Sequence, residues 1–247
     1  MEHFVFTGYV IDFMLYGGVL LSAVLRQSRL SRSLAVLAVA ANAALLAIIS
    51  MVSGQAPVFD ILGGLLLVCF VLGLLGTFWR PMEEDSLSVR TWVWIEVLLL
   101  LGVTLFFPKT APPYMYRHND VWVVLFHGFR CLALSFALFS AAHFIPYRLA
   151  PVRKRIHNQF KQGRNFLLLS ALFFLCGEYA GMIWCQKGWG DFWHWSPAFF
   201  QSTVIILCLM FAFHIPGKNR RSDDLRSIMA VLVPLVMLTV KVIKGLP

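Results

Sequence analysis

Charged residues are scarce in this chain. They make up 13% of its 247 residues, while hydrophobic residues make up 59%. A composition this apolar excludes an ordinary soluble globular domain. The net charge of +9 at pH 7 would suggest a nucleic-acid partner in a soluble protein, but here the basic residues gather in a few short loops. The chain is therefore predicted to be a membrane protein that binds no nucleic acid.

Cysteine motifs and a cleavable leader are also missing. None of the five cysteines forms a CxxC, a CxxCH or a zinc-binding spacing, which excludes a covalent c-type heme site on the chain itself. Four of them lie inside apolar runs, where a thiol behaves as a small hydrophobic group. The N-terminal apolar run has no basic segment before it and no small-residue cleavage site after it. It is therefore predicted to be a first membrane span.

Long apolar runs separated by polar breaks predict about eight transmembrane helices. The runs must be helical because a backbone exposed to lipid has to satisfy its own hydrogen bonds, and the alternation that marks membrane β-barrels is missing. The predicted fold class is an all-α polytopic membrane helix bundle, with residues 1–247 as a single domain. The predicted spans are residues 5–25, 34–52, 57–79, 91–107, 121–145, 165–185, 198–215 and 228–243.

The basic residues sort the loops into two sets. Alternate loops hold most of the 21 lysines and arginines, and the positive-inside rule places these loops in the cytoplasm. Both termini and a loop at about residues 186–197 then face the outside. We expect the protein to be multi-pass in the bacterial inner (cytoplasmic) membrane, with anionic membrane lipid as one partner.

Three tryptophans lie within seven residues of that outer loop, in the stretch "WGDFWHW". Tryptophans often form a belt at the membrane interface, which is one interpretation of Trp189, Trp193 and Trp195. A belt spreads its tryptophans over many helix ends, however. Three in one short loop favour a platform that binds a flat aromatic ligand such as a porphyrin.

Ionisable residues inside spans are costly and indicate functional sites. His127 and Arg130 are three residues apart in the fifth span and therefore share a helix face. His127 is either a heme-iron ligand, as a neutral imidazole, or an ordinary packed histidine. Arg130 either contacts a heme propionate with its planar fork or pairs with Glu178 of the sixth span, which lies at a matching depth.

Other histidines are further candidate ligands. His143 and His214 lie near the cytoplasmic ends of the fifth and seventh spans. They either form a second, inner ligand pair or extend to the membrane interface as polar side chains. His118 in an outer loop and His194 inside the tryptophan cluster can both approach a ligand on the platform. Glu96 has no partner that the sequence identifies.

These residues carry a resemblance to a known family. The stretch "GEYAGMIWCQKGWGDFWHWSPAFF" resembles the tryptophan-rich WWD signature of the CcsA/CcmC cytochrome c assembly proteins. "NDVWVVLFHGFRCLALSFALF", "FAFHIPGKNR" and "NAALLAIISMVSGQAPVFDILGG" also agree with the family in order and spacing. The family's first external heme-ligating histidine falls on His127, and the histidine at the end of its next span falls on His214. The resemblance implies a protein that brings heme to an outer tryptophan platform.

The chain departs from the family's pattern at several positions. Ser196 and Phe199 replace the Asp and Glu of the signature, and Asn42 stands where many members have a histidine. The chain ends at "KGLP", where the family continues to a second external histidine. We therefore expect His118, His194 or a partner protein to supply the second axial ligand, with His118 favoured over His194. Whether the protein is an autonomous heme lyase stays open.

Three functions remain in view. The leading hypothesis is a heme-handling membrane protein of cytochrome c biogenesis, which holds non-covalent b-type heme through His127 and His214 and contacts a propionate through Arg130. The alternative is a heme b-bearing subunit that oxidises quinol and partners a multiheme cytochrome c. The third is a heme-free structural partner in an assembly complex. Other membrane subunits and a c-type cytochrome are the expected protein partners.

Overall fold

The computed structural model describes residues 2–79, 86–109, 120–150, 157–192, 197–215 and 220–243. Within these ranges the chain forms eight helices and no strand, which confirms the predicted all-α class. Six of the described helices are long and apolar enough to cross a membrane, and α7 has a shorter apolar stretch, Phe199–His214. The protein is thus an integral, multi-pass membrane protein. The helices are α1 (Glu2–Val24), α2 (Ser28–Ser53), α3 (Ile61–Phe78), α4 (Ser86–Thr104), α5 (Val121–Leu149), α6 (His157–Trp189), α7 (Pro197–His214) and α8 (Arg220–Ile243).

Several helices extend beyond the predicted spans into polar sequence. α2, α6 and α8 all begin earlier than predicted, because charged side chains can reach water while the backbone stays hydrogen-bonded. α5 continues through Pro146 instead of ending at residue 145. α6 includes residues 186–189, so the connection to α7 is shorter than the predicted loop at 186–197.

The helices form two compact units, residues 1–119 and residues 120–247. In the first unit, α1 and α3 each pack against both α2 and α4, so that the four helices surround one core. In the second unit, α5 packs most extensively against α6 and also against α8, and α7 packs against α8. The assignment of residues 1–247 to a single domain stays a prediction.

The core of the first unit contains polar side chains that lack hydrogen-bond partners within the described residues. Asp12 and Asn42 are fully buried, and no polar side-chain atom of either has a hydrogen-bond partner among the residues described. The hydroxyl of the fully buried Tyr16, one turn from Asp12, is in the same state. Because Gly8 faces Leu45 across the antiparallel α1–α2 interface, Asp12 and Asn42 lie at the same level of the bundle.

Candidate functional site

The candidate site is built on the first turns of α5. Asp120 is the N-cap of this helix, and its Oδ1 accepts a hydrogen bond from the backbone N–H of Trp122 at 2.8 Å. His127 follows at ~9 Å from the helix start, given a rise of about 1.5 Å per residue. Its half-buried ring makes an edge contact with the ring of Phe126, with 5.0 Å between centroids. The cap and the helix thus hold the imidazole at a defined depth.

Two glycines of α6 let that helix approach α5 closely at this depth. A Cβ added to Gly181 would lie 2.8 Å from Cδ2 of Phe126, and one added to Gly177 would lie 3.4 Å from the Phe126 carbonyl oxygen. Small residues four positions apart are a common interface between membrane helices, because they let backbones come together. The small residues of "GEYAG" are the sequence signal for this close approach, and they were not among the predicted site features.

Three rings form what we call the α5–α6 aromatic cluster, namely Phe126, Trp184 and Trp189. The centroids of Phe126 and Trp184 are 6.4 Å apart, and those of Trp184 and Trp189 are 5.4 Å apart. Trp189 is 52% exposed, so the cluster runs from the helix interface to an accessible indole. Beside it, the Lys187 ammonium lies 5.7 Å from the centroid of the Trp122 ring.

Arg130 pairs with Glu178, which was one of its two predicted partners. The Nε of Arg130 donates to Oε1 of Glu178 at 3.0 Å, and Nη2 donates to the same oxygen and to the hydroxyl of Ser202. The guanidinium also lies 4.1 Å from the ring centroid of Phe126 and 5.5 Å from that of Phe174. Arg130 thereby connects α5, α6 and α7 directly beneath the aromatic cluster. A contact between Arg130 and a heme propionate stays a prediction.

His143 and His214, the predicted inner pair, differ in their surroundings. His143 is fully buried, and its ring lies 4.9 Å from Phe139 and 5.5 Å from Phe166 between centroids. His214 is exposed at the end of α7. In each, Nδ1 donates to a carbonyl oxygen one turn earlier, at 2.8 Å and 2.9 Å respectively. In the neutral form of either ring, this contact leaves the lone pair on Nε2.

His118, Trp193, His194 and Trp195 lie outside the described residues, so their predicted roles stay predictions. Within the described residues, Glu96 is 7% exposed, and its Oε2 has no hydrogen-bond partner.

Comparison with known proteins identifies related sequences. No family model matches the chain. It is 25% identical over 177 residues to protein NrfI of Wolinella succinogenes, covering 66% of this chain and 19% of that protein. It is 28% identical over 81 residues to the cytochrome c biogenesis protein CcsA of Glycine max, covering 30% of this chain and 24% of that protein. The CcsA protein of Fagopyrum esculentum subsp. ancestrale is 28% identical over 95 residues, covering 37% and 28%.

A solved structure shares the fold over nearly the whole chain. The structure of the cytochrome c heme lyase CcmF matches 99% of this chain with a TM-score of 0.74 at 16% sequence identity, and the match covers 50% of that protein. The chain spans less than a third of the length of the curated relatives above. These findings confirm the resemblance to assembly proteins of the CcsA type and relate the fold to that of CcmF.

Proposed function

We propose that this membrane protein, related to the CcsA and CcmF types of cytochrome c biogenesis protein, handles heme during cytochrome c maturation. The observation that carries the proposal is the position of His127, in ring contact with an aromatic cluster that ends in an exposed indole. A neutral imidazole can ligate the iron of non-covalent, b-type heme, and flat, accessible aromatic surface can stack on its porphyrin. The residues present therefore fit the group.

His127 would be the axial ligand, and Trp189 would support the porphyrin face together with Trp193 and Trp195. Lys187 is exposed beside Trp122. Its ammonium group would bind a heme propionate, in addition to the predicted contact of Arg130 with a propionate. When bound, heme supplies the vinyl groups to which cytochrome c thiols are joined. The chain itself would contribute ligation, orientation and the accessible aromatic surface.

Arg130 would act mainly by holding the site together. Its pairing with Glu178 and Ser202 uses two of its three nitrogens to connect three helices. The guanidinium also lies against Phe126, the ring of the aromatic cluster that contacts His127. His214 would belong to a second ligand position at the opposite end of the spans, and His118 or His194 would complete the first.

We place the protein in the bacterial inner membrane with both termini and the Trp189 end of α6 outside. The charge of the alternate loops supports this orientation. Cysteine introduced at Asp191 should react in intact cells with a thiol reagent that cannot cross the membrane, whereas cysteine at Asn158 should react only after permeabilisation. The reverse pattern would contradict the orientation.

The test of heme binding is a visible absorption spectrum of the detergent-purified protein. His127→Gly should lose most bound heme, and added imidazole should restore part of it by filling the vacated position. His157→Gly, at the start of α6, is the control and should keep the wild-type spectrum. A wild-type spectrum for His127→Gly would refute the assignment of His127.

A second candidate function is a heme b-bearing subunit that oxidises quinol. The apolar Phe199 in place of the signature's acidic residue favours it, because a site without that charge is suited to keeping its heme. Its ring packs against Phe200 with centroids 5.7 Å apart. Transfer of heme from the purified protein to an apocytochrome c would support maturation. Permanent bis-histidine heme that quinol reduces would support the subunit.

A further inference from the structure

A pocket at one end of the first unit is lined by three arginines from different segments. Arg26 lies in the α1–α2 turn, Arg32 in the first turns of α2, and Arg90 near the start of α4. The pocket has a volume of about 40 Å³, and no acidic side chain is among its described lining residues. Three arginines therefore line one small opening and give this end of the unit a local excess of positive charge.

Arg26 occupies a backbone position where glycine is normally favoured. Its φ of 57° is in the left-handed region, and it is the one described non-glycine residue with positive φ. The N–H of Arg26 donates to the Ala23 carbonyl at 3.1 Å, and that of Gln27 donates to the Ser22 carbonyl at 2.9 Å. This is a Schellman helix end, whose left-handed residue is usually glycine. An arginine in this conformation strains the backbone, and the same residue lines the pocket.

The other side of the pocket is formed by α3 and α4, which pack closely against each other. Arg90 donates from Nη2 to the Trp79 carbonyl oxygen at 3.3 Å, which holds its side chain against the end of α3. Gly76 allows α3 and α4 to pack closely, since an added Cβ would lie 3.1 Å from the ring of Trp94. The buried Trp94 is part of the lining. Two exposed arginines, Arg26 and Arg32, therefore line the pocket together with a third, Arg90, whose side chain is held on a packed helix pair.

We propose that this pocket binds the phosphate group of an anionic ligand, supplied by an anionic lipid headgroup. Arginine forks match phosphate oxygens in charge and geometry. The α1–α2 turn lies at the end of two spans, which is the level of the lipid phosphates. Exposed apolar side chains next to the turn, Val24 and Leu25, offer contact with the lipid chains. Basic pockets between membrane helices are a known form of lipid recognition.

The test uses the full-length protein, purified in detergent and stripped of lipid. Native mass spectrometry would follow a titration with dioctanoyl phosphatidylglycerol, and a parallel titration with inorganic phosphate would be read from thermal unfolding at constant ionic strength. The variants are Arg26→Gly, Arg32→Gln and, as a matched control, Arg29→Gln. Arg29 lies in the same basic segment and is exposed, but it does not line the pocket.

We expect Arg26→Gly and Arg32→Gln each to bind the lipid about tenfold more weakly, as loss of one charge-assisted contact predicts. Arg29→Gln should stay close to the wild-type affinity. Arg26→Gly should also unfold at a higher temperature without ligand, because glycine relieves the left-handed strain. Weaker binding by a more stable protein separates ligand contact from a folding defect. Equal losses in all three variants, or none, would overturn the proposal.

Two further arms identify what occupies the pocket. If inorganic phosphate binds as tightly as the lipid and with the same variant pattern, the pocket is an anion site whose ligand is a soluble phosphate compound.

The chain also carries Glu83, Glu84 and Asp85 just before α4. Replacing these three by amides should leave lipid affinity nearly unchanged. A large gain in affinity would mean that this acidic segment fills the pocket, which would overturn the proposal.

Discussion

Arg130 on α5 donates hydrogen bonds from both Nε and Nη2 to a single oxygen, Oε1 of Glu178 on α6. The side chains are 16% and 24% exposed, so both charges have lost most of their contact with water. Each charge therefore depends on the other for its stabilisation.

We predict that Glu178→Gln and Arg130→Gln each lower the free energy of unfolding by ~1–3 kcal/mol, because each leaves the other polar group with its main partner weakened. The double variant should lose clearly less than the sum of the two single losses. Denaturant or thermal unfolding in one detergent would measure all four proteins. Additive losses would show that the two side chains contribute independently.

Gly181→Ala should lower stability by ~1–3 kcal/mol, because the new Cβ would overlap the Phe126 ring at 2.8 Å. Gly188→Ala is the matched control in the same helix, since no atom of the described residues lies within 4 Å of its added Cβ. It should be neutral or slightly stabilising, as alanine favours helices. Phe126→Ala in the Gly181→Ala background should recover part of the loss due to overlap. Equal effects at Gly181 and Gly188 would contradict the close α5–α6 packing.

Trp189→Leu should reduce heme bound to the purified protein, because an exposed indole of the proposed platform is removed while apolar volume is kept. Trp79→Leu is the control, since Trp79 is a 37% exposed tryptophan at the end of α3, outside the aromatic cluster. It should leave heme content unchanged. Heme content would be measured from the visible absorption spectrum. A similar small effect of both substitutions would favour an interfacial tryptophan belt over a heme-binding platform.

Asn42→Leu should raise the free energy of unfolding by ~1–2 kcal/mol. Its amide is fully buried, and neither polar atom has a hydrogen-bond partner in the described part of the chain. Removing these atoms therefore ends an uncompensated desolvation cost. Asn42→Ala is the control for side-chain volume and should be less stable than Asn42→Leu because it leaves a cavity. A loss of stability in Asn42→Leu would indicate that water or another polar group satisfies the amide.

The all-α fold class and most of the helix positions could be predicted from the sequence. Long apolar runs must be helical in lipid whatever their neighbours are, so all eight helices could be placed from local composition. Their ends were less certain, as at residues 28 and 157, because a helix can continue into charged sequence without an apolar signal. The family resemblance likewise rested on local patterns around His127 and Trp189, and the comparisons confirmed it.

The partners of individual side chains were decided by tertiary structure. The sequence left Arg130 with two possible partners, since matching depth does not fix how far α6 is rotated about its axis. Packing of Gly177 and Gly181 against α5 sets that rotation and distance, and so brings Glu178 to Arg130 and Trp184 to Phe126. The pocket lined by Arg26, Arg32 and Arg90 could not be predicted from the sequence either. Its lining residues are far apart in the chain, and they meet only because of the left-handed turn at Arg26 and the packing of α3 against α4. Such sites depend on how helices face each other, which local sequence does not encode.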